Sequence, residues 1–245
     1  MDSGYTEKLE ELRWAFGPIS EAPLLADIIA RYAAPRTSIT MLDVGIGNGI
    51  WAQKVVAGVQ ARGVRVAVTG LDPYIPESAQ ELDWEIRPTF IAAPLANYLN
   101  AGTFDVVNAT HSLYYLGDEG EALRRLLSLV SPGGILIATI WADGCTLKAV
   151  HDGYLAVGRP SPSQQNVGAT LRALVAPRGS VEEHYFEGTV ALGEGDRAHR
   201  TKQAIIDIAG RDVPVSDAAR SSALDFLDSL GTVAVRRNAI FVAAP

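Results

Sequence analysis

The sequence predicts an α/β protein: a doubly wound, mostly parallel, seven-stranded sheet with an N-terminal helical cap. Two observations predict this class. Strand-like and helix-like segments alternate from about residue 38 to residue 141, which is typical of parallel sheets covered by helices on both faces. No internal repeat or low-complexity linker interrupts the chain, so we expect a single domain over its 245 residues.

Each element follows from its local pattern. Ser38–Val44 is β-branched and apolar, whereas Ile50–Ala61 has helical spacing, and Pro132-Gly133-Gly134 is expected to turn the chain into a buried strand. The predicted strands are Ser38–Val44, Arg65–Leu71, Glu85–Ile91, Phe104–Ala109, Ile135–Trp141, Val181–Leu192 and Val233–Ala243. Helices are expected at Thr6–Trp14, Glu21–Tyr32, Ile50–Ala61, Glu119–Val130, Cys145–Val157 and, as a charged helical region, Asp196–Leu230.

Composition narrows the functional classes. The formal charge is −7 and no basic tract exceeds a pair of arginines, so we expect no nucleic-acid partner. No run of eighteen apolar residues indicates a membrane span, and the charged N-terminus lacks an apolar signal region. Cys145 is the single cysteine, which fits a reducing, cytoplasmic location. The oligomeric state is left open.

The stretch MLDVGIGNGI, residues 41–50, places three glycines at alternate positions after the first strand. Such spacing indicates a backbone that needs positive φ or must approach a ligand closely. A dinucleotide site usually has G-x-G-x-x-G, and here Gly49 comes one residue too early. Asp72 ends the second strand, where a carboxylate can accept hydrogen bonds from both hydroxyls of a ribose. Loop and acid together favour a nucleoside without a pyrophosphate.

DVGIGNG followed by LDP resembles the class I S-adenosylmethionine (SAM) methyltransferases over about residues 38–141. The resemblance implies that SAM is the cofactor and S-adenosylhomocysteine (SAH) the product. It implies a helical cap at 1–36, a SAM-binding half at 37–142 and a substrate-side half at 143–245. It assigns cofactor contacts near Ala92–Leu95 for adenine and at the following residues: Asp43, Gly45, Gly47, Gly49, Asp72, Pro73 and Thr110. The final strand fits the antiparallel last strand of that family.

The segment Asn108–Leu116 follows the fourth strand, where the methyl acceptor sits in this fold. It lacks the Asn/Asp-Pro-Pro-aromatic motif of amide and adenine amino methyltransferases. The Asp-Asn pair of metal-dependent catechol-type enzymes is replaced by Asp143-Gly144, so no catalytic metal is expected. Leu113-Tyr114-Tyr115 resembles histamine N-methyltransferase and its relatives, although His111 replaces the substrate-contacting Gln of that group.

This second resemblance implies a small-molecule substrate. It assigns substrate contacts to Trp14, Phe16, Glu21, His111, Tyr114, Tyr115 and Asn238, with His111, Glu21 and Tyr115 in catalysis. The main expectation is methyl transfer to a nitrogen of a small amine or imidazole, with Glu21 anchoring a cationic group. One alternative is O-methylation with His111 as the base, and another is a cyclase or a SAM-binding protein without methyl transfer. Purely structural roles also remain open for Glu21, His111 and the two tyrosines.

Overall fold

The computed structural model describes residues 20–99, 102–157, 166–176, 179–210 and 214–245. The predicted helix Thr6–Trp14 and the candidate residues Trp14 and Phe16 therefore lie outside the described residues. Of the predicted cap, the structure describes one helix, which begins directly after Glu21.

Seven strands and seven helices make up the described part of the chain. The strands are β1 Ser38–Val44, β2 Arg65–Asp72, β3 Thr89–Ala92, β4 Phe104–Thr110, β5 Val130–Trp141, β6 Ser180–Ala191 and β7 Val233–Ala244. The helices are α1 Ala22–Ala33, α2 Ile50–Gln60, α3 Glu119–Leu127, α4 Thr146–Val150, α5 Val167–Val175, α6 Gly195–Ala209 and α7 Asp217–Ser229. Short helical turns occupy Glu77–Ala79, Leu95–Asn97, Leu113–Tyr115 and His151–Leu155.

The strands form one sheet in the order β3-β2-β1-β4-β5-β7-β6. The four pairs from β3 to β5 are parallel, so these strands end at the same edge of the sheet. The order reverses direction between β1 and β4, and ligands of open α/β sheets bind outside the carboxyl ends at such a point. The predicted doubly wound, mostly parallel fold is confirmed.

One local prediction was wrong, and two helical features were not predicted. Pro132-Gly133-Gly134 lies inside β5, where the register against β4 shifts between Phe104 and Val106, so these residues form a bulge rather than a turn before the strand. The region Asp196–Leu230 is divided into two helices, α6 and α7. The described chain also contains α5, whose helical pattern the sequence analysis missed between the polar loop and β6.

The chain divides into two compact units. The larger unit comprises Glu21–Ile140, Ser163–His184 and Ile240–Pro245, and the smaller unit comprises Met1–Ser20, Trp141–Pro162 and Tyr185–Ala239. In the larger unit, α1 buries Leu25 and Ile29, and α2 buries Val55 and Val59. These buried faces have the i, i+4 spacing of amphipathic helices. The prediction of one domain with a cofactor half and a substrate half stays a prediction.

In the smaller unit, the described helices are joined by both aromatic and ionic contacts. Tyr154 stacks on Phe226 with ring centroids 5.1 Å apart. Lys202 Nζ lies 2.6 Å from Asp228 Oδ1, which links α6 to α7. The same two helices are linked a second time, since Arg220 donates to Asp207 at 2.7 Å.

Candidate functional site

The glycine loop between β1 and α2 is held by backbone geometry that only glycine adopts easily. Gly45, Gly47 and Gly49 have φ of 80°, 56° and 74°. A Cβ at Gly45 would stand 2.5 Å from Ser112 Cβ, whereas a Cβ at Gly47 would meet nothing within 4 Å. At Gly49 a Cβ would meet Leu82 and Trp84. Packing therefore excludes a side chain at Gly45, while Gly47 borders open space that a ligand can enter.

Asp72 ties the end of β2 to this loop. Its Oδ2 accepts the Gly47 N–H at 3.1 Å and its Oδ1 accepts the Tyr74 N–H at 2.8 Å. A carboxylate on the Gly47 amide repels a phosphate group there, which agrees with a nucleoside that carries no pyrophosphate. The β2–β3 register pairs Asp72 with Ala92, so the segment expected near adenine begins beside the candidate ribose-binding acid.

Asp43 lies at the end of β1 and is buried. Burial raises the pKa of Asp43 to about 6. The hydrogen bond from Asn108 lowers this pKa, and the charge of Asp72 raises it. Asn108 Nδ2 donates to Asp43 Oδ1 at 2.6 Å. A buried carboxylate beside another acid favours a cationic partner, and SAM has two positive groups, its sulfonium and its ammonium.

Asn108 belongs to a polar chain that crosses three neighbouring strands. The Thr110 hydroxyl donates to Asn108 Oδ1 at 3.0 Å and lies 3.2 Å from Thr139 Oγ1 on β5. Asn108 and Thr139 are both buried. Thr110 was predicted as a site residue, whereas Asn108 was not. The signal was present, because a polar residue near the carboxyl end of the apolar run Phe104–Ala109 needs a partner inside the sheet.

A second cluster lies where β4 ends. His111 Nε2 lies 3.2 Å from Oε1 of Glu21, the residue directly before α1. Glu21 is fully buried, whereas the His111 side chain is 26% exposed. An ionised Glu21 carboxylate could only accept hydrogen bonds, so a neutral His111 ring beside it would carry its hydrogen on Nε2 and its lone pair on Nδ1. The pair therefore presents a partly exposed, oriented imidazole.

The two tyrosines lie beside this imidazole. The Tyr114 hydroxyl is 3.5 Å from His111 Nδ1, and the two rings are stacked with centroids 6.3 Å apart. Tyr115 meets Tyr114 edge-on, and 44% of Tyr115 is exposed. His111 has φ of 53°, an uncommon conformation for a residue with a side chain, and its N–H donates to Thr139 O at 2.9 Å. Strained backbone of this kind clusters at functional sites.

The structure brings some predicted residues together and not others. Asp43, the three glycines, Asp72 and Thr110 surround the ends of β1, β2 and β4, and Glu21, His111, Tyr114 and Tyr115 form the second cluster. Pro73 is exposed beside Asp72. Asn238 is buried on β7 within the smaller unit, and its predicted substrate contact stays a prediction.

The donor set fits SAM rather than a metal ion. The loop offers an open Gly47, a carboxylate at Asp72 for hydroxyls and a buried carboxylate at Asp43 for a cation. Within the described ranges, no group of three or more His, Cys, Asp or Glu is arranged to hold a metal ion. No helix among the described residues has the length and apolarity needed to cross a membrane.

Comparison with curated proteins finds O-methyltransferases. A ubiquinone biosynthesis O-methyltransferase from Ralstonia nicotianae is 33% identical over 152 residues, covering 57% of this chain and 62% of that protein. The enzyme of the same name from Caulobacter vibrioides is 30% identical over 144 residues, 55% of each chain. The chain thus spans about three fifths of the length of these relatives. They favour the O-methylation alternative and give no support to the expected likeness to histamine N-methyltransferase.

Comparison with solved structures supports the fold. A SAM-dependent methyltransferase from Geobacter sulfurreducens, solved with SAH, superimposes with a TM-score of 0.55 at 17% identity and covers 100% of this chain and 98% of that one. A family model described as a methyltransferase domain matches residues 19–188, more than half of the chain. The glycine loop and Asp72 lie within the matched range. The chain belongs to the class I SAM-dependent methyltransferase family.

Proposed function

We propose that the protein transfers a methyl group from SAM to a hydroxyl oxygen of a small acceptor, with His111 as general base. One observation carries this proposal: the contact between the buried Glu21 carboxylate and His111 Nε2 at 3.2 Å. The names of the curated relatives support an oxygen acceptor. Because Tyr115 exposes 44% of its surface beside the cluster, we propose a hydroxylated aromatic ring, which can pack on it.

A hydroxyl acceptor explains the arrangement of the cluster. Bound SAM supplies a methyl group that is already activated by the sulfonium charge. A hydroxyl becomes a good nucleophile only as its proton leaves, and His111 Nδ1 is the atom placed to take that proton. Glu21 keeps the opposite ring nitrogen protonated and stabilises the imidazolium that forms. The Tyr114 hydroxyl lies 3.5 Å from the same Nδ1, so an acceptor hydroxyl that binds Nδ1 would take its place there and lie beside the tyrosine.

N-methylation is supported less well. In the N-methylation hypothesis Glu21 anchors a cationic substrate, yet the Glu21 carboxylate is buried against His111. A neutral amine already has a free lone pair and needs little help from a base. An amine acceptor would leave the oriented imidazole without a chemical task.

The cofactor contacts are part of the same proposal. Asp43 would pair with the positive groups of SAM, Asp72 would accept from the ribose hydroxyls, and Gly47 would let the ligand approach the backbone. Thr110 would act through Asn108 by fixing the position of Asp43. We also propose that residues 37–142 form the SAM-binding half of one domain, with residues 1–36 and 143–245 supplying acceptor contacts.

Matched acceptors test this function. Catechols and the corresponding aminophenols and diamines would be incubated with SAM, and SAH and methylated products measured by mass spectrometry. We expect methyl on oxygen. For H111A we expect kcat to fall about 10²–10⁴-fold with an unchanged Kd for SAH, because a general base contributes about that much.

His184 offers a matched control. Its Nε2 lies 3.1 Å from Glu182 Oε2 and its side chain is also 26% exposed, but it lies on β6. H184A should keep the wild-type kcat. Full kcat in H111A, or methyl found only on nitrogen, would contradict the proposal. SAM consumption without any methylated acceptor would favour the cyclase alternative instead.

A further inference from the structure

Ser112 carries a buried hydroxyl whose hydrogen-bonding capacity the described part of the protein leaves unused. The residue is 4% exposed, and Ser112 Oγ has no hydrogen-bond partner among the described atoms. Its backbone carbonyl is engaged, because it accepts the Tyr115 N–H at 3.0 Å. Buried hydroxyls without partners are rare, since such a group has lost its hydration without replacement. A ligand that supplies the missing partner would account for it.

The position of Ser112 identifies that ligand. A Cβ on Gly45 would lie 2.5 Å from Ser112 Cβ and 3.3 Å from Ser112 Oγ, so the serine side chain packs directly on the bend of the glycine loop. The preceding residue, His111, has φ of 53°. The hydroxyl therefore lies on the cofactor side of the strand end, next to the residue that bears the candidate base.

The order of groups along the loop indicates which part of the cofactor is near. Asp72, the candidate ribose acid, contacts Gly47. Gly45 lies two residues earlier, directly after Val44 and the buried Asp43. The Asp43 carboxylate suits a cation. The ribose would therefore lie toward Gly47, and the charged amino-acid end of the ligand toward Gly45. A hydroxyl can donate to a carboxylate or accept from an ammonium group, so it suits either charge at that end.

We propose that the Ser112 hydroxyl binds the amino-acid end of SAM and SAH. The inference rests on the proposed function, because it takes SAM as the ligand of the glycine loop. It adds a cofactor contact on the segment that also carries His111. Ser112 and His111 are consecutive, so the same turn would hold the methionine part of the cofactor and orient the base.

Calorimetry with two ligands tests this contact. SAH has the amino-acid end, whereas 5′-methylthioadenosine keeps the nucleoside and the sulfur but lacks it. For S112A we expect the Kd of SAH to rise about 10-fold, in line with loss of a hydrogen bond to a charged group, and the Kd of 5′-methylthioadenosine to stay unchanged. The melting temperature of the free protein should not fall, because the lost hydroxyl has no partner among the described residues to leave unpaired.

Ser131 provides the control. Its Oγ is also buried without a partner among the described atoms, but it lies near the amino end of β5, away from the glycine loop. S131A should bind both ligands like the wild type. If S112A is poorly folded, S112C, which keeps the size and weakens the donor, should still show the selective loss for SAH. An unchanged Kd for SAH, or an equal loss for both ligands, would overturn the proposal, whatever the methyl acceptor proves to be.

Discussion

The glycine loop and the His111 cluster differ in how the chain builds them. In the loop, Gly47 and Asp72 are 25 positions apart and belong to one strand-helix-strand unit. In the cluster, Glu21 and His111 are 90 positions apart and belong to different elements, the start of α1 and the end of β4. In the proposed function the loop would present backbone and carboxylates to a cofactor, and the cluster would present a side-chain base to an acceptor. The loop is thus specified by local sequence, whereas the cluster is specified by tertiary contacts.

The largest effect on stability should come from the loop. G45A must adopt φ of 80° and place Cβ 2.5 Å from Ser112 Cβ, so we expect it to lose about 2–5 kcal/mol of unfolding free energy. G47A has the left-handed strain without the clash and should lose only about 1–2 kcal/mol. Urea unfolding without ligand measures both. Equal losses would show that packing against Ser112 does not specify the loop.

The two glycine variants also differ in their expected effect on cofactor binding. A methyl group at Gly47 points into the open space proposed for the cofactor, so G47A should bind SAH far more weakly than its small loss of stability suggests. Calorimetry with SAH measures this. Wild-type affinity in G47A would place the ligand elsewhere.

A smaller change in unfolding free energy, of opposite sign, is expected when Asp43 is replaced. The pKa of Asp43 is raised to about 6, so the folded protein binds this proton more tightly than the unfolded chain does. The resulting destabilisation is absent below about pH 4 and complete above about pH 6. D43N should therefore stabilise the free protein by about 3 kcal/mol at pH 8 and by almost nothing at pH 4.

D43N should nevertheless bind SAH more weakly at pH 8, because the charge proposed to pair with the ligand ammonium is gone. For the wild type, affinity for SAH should rise as pH increases through about 6, the pKa of Asp43. Thermal unfolding and calorimetry over the same pH range check both statements. A destabilised D43N, or an SAH affinity independent of pH, would remove Asp43 from the cofactor site.

Much of the cofactor side could be predicted from the sequence for a local reason. Alternating apolar runs predict β1 and β2, and three glycines directly after Asp43 predict a bend with positive φ. Asp72 at the next strand end then has to lie at the same edge, because parallel strands share it. Ser112 could not be found in this way, since its contact with Gly45 joins the segments that follow two different strands, β1 and β4.

The acceptor side could be predicted only in part. His111 and Glu21 were both selected, but for separate tasks, because a resemblance gives each residue a role and no distance between them. Their contact requires the position of α1 relative to the end of β4, which no local pattern encodes. The bulge in β5 was missed for a related reason, since Pro132-Gly133-Gly134 predicts a turn equally well when the neighbouring strand is unknown.

The most direct test of the base is the pH dependence of kcat at saturating SAM for the wild type and E21Q. Saturation removes the contribution of Asp43, whose pKa of about 6 affects cofactor affinity. We predict that wild-type kcat falls on the acidic side as a histidine takes up a proton. In E21Q the plateau should drop about 10-fold or more, because glutamine no longer stabilises the imidazolium that forms as His111 takes the proton. A wild-type kcat that does not change with pH, or a plateau unaltered in E21Q, would contradict base catalysis by His111 held by Glu21.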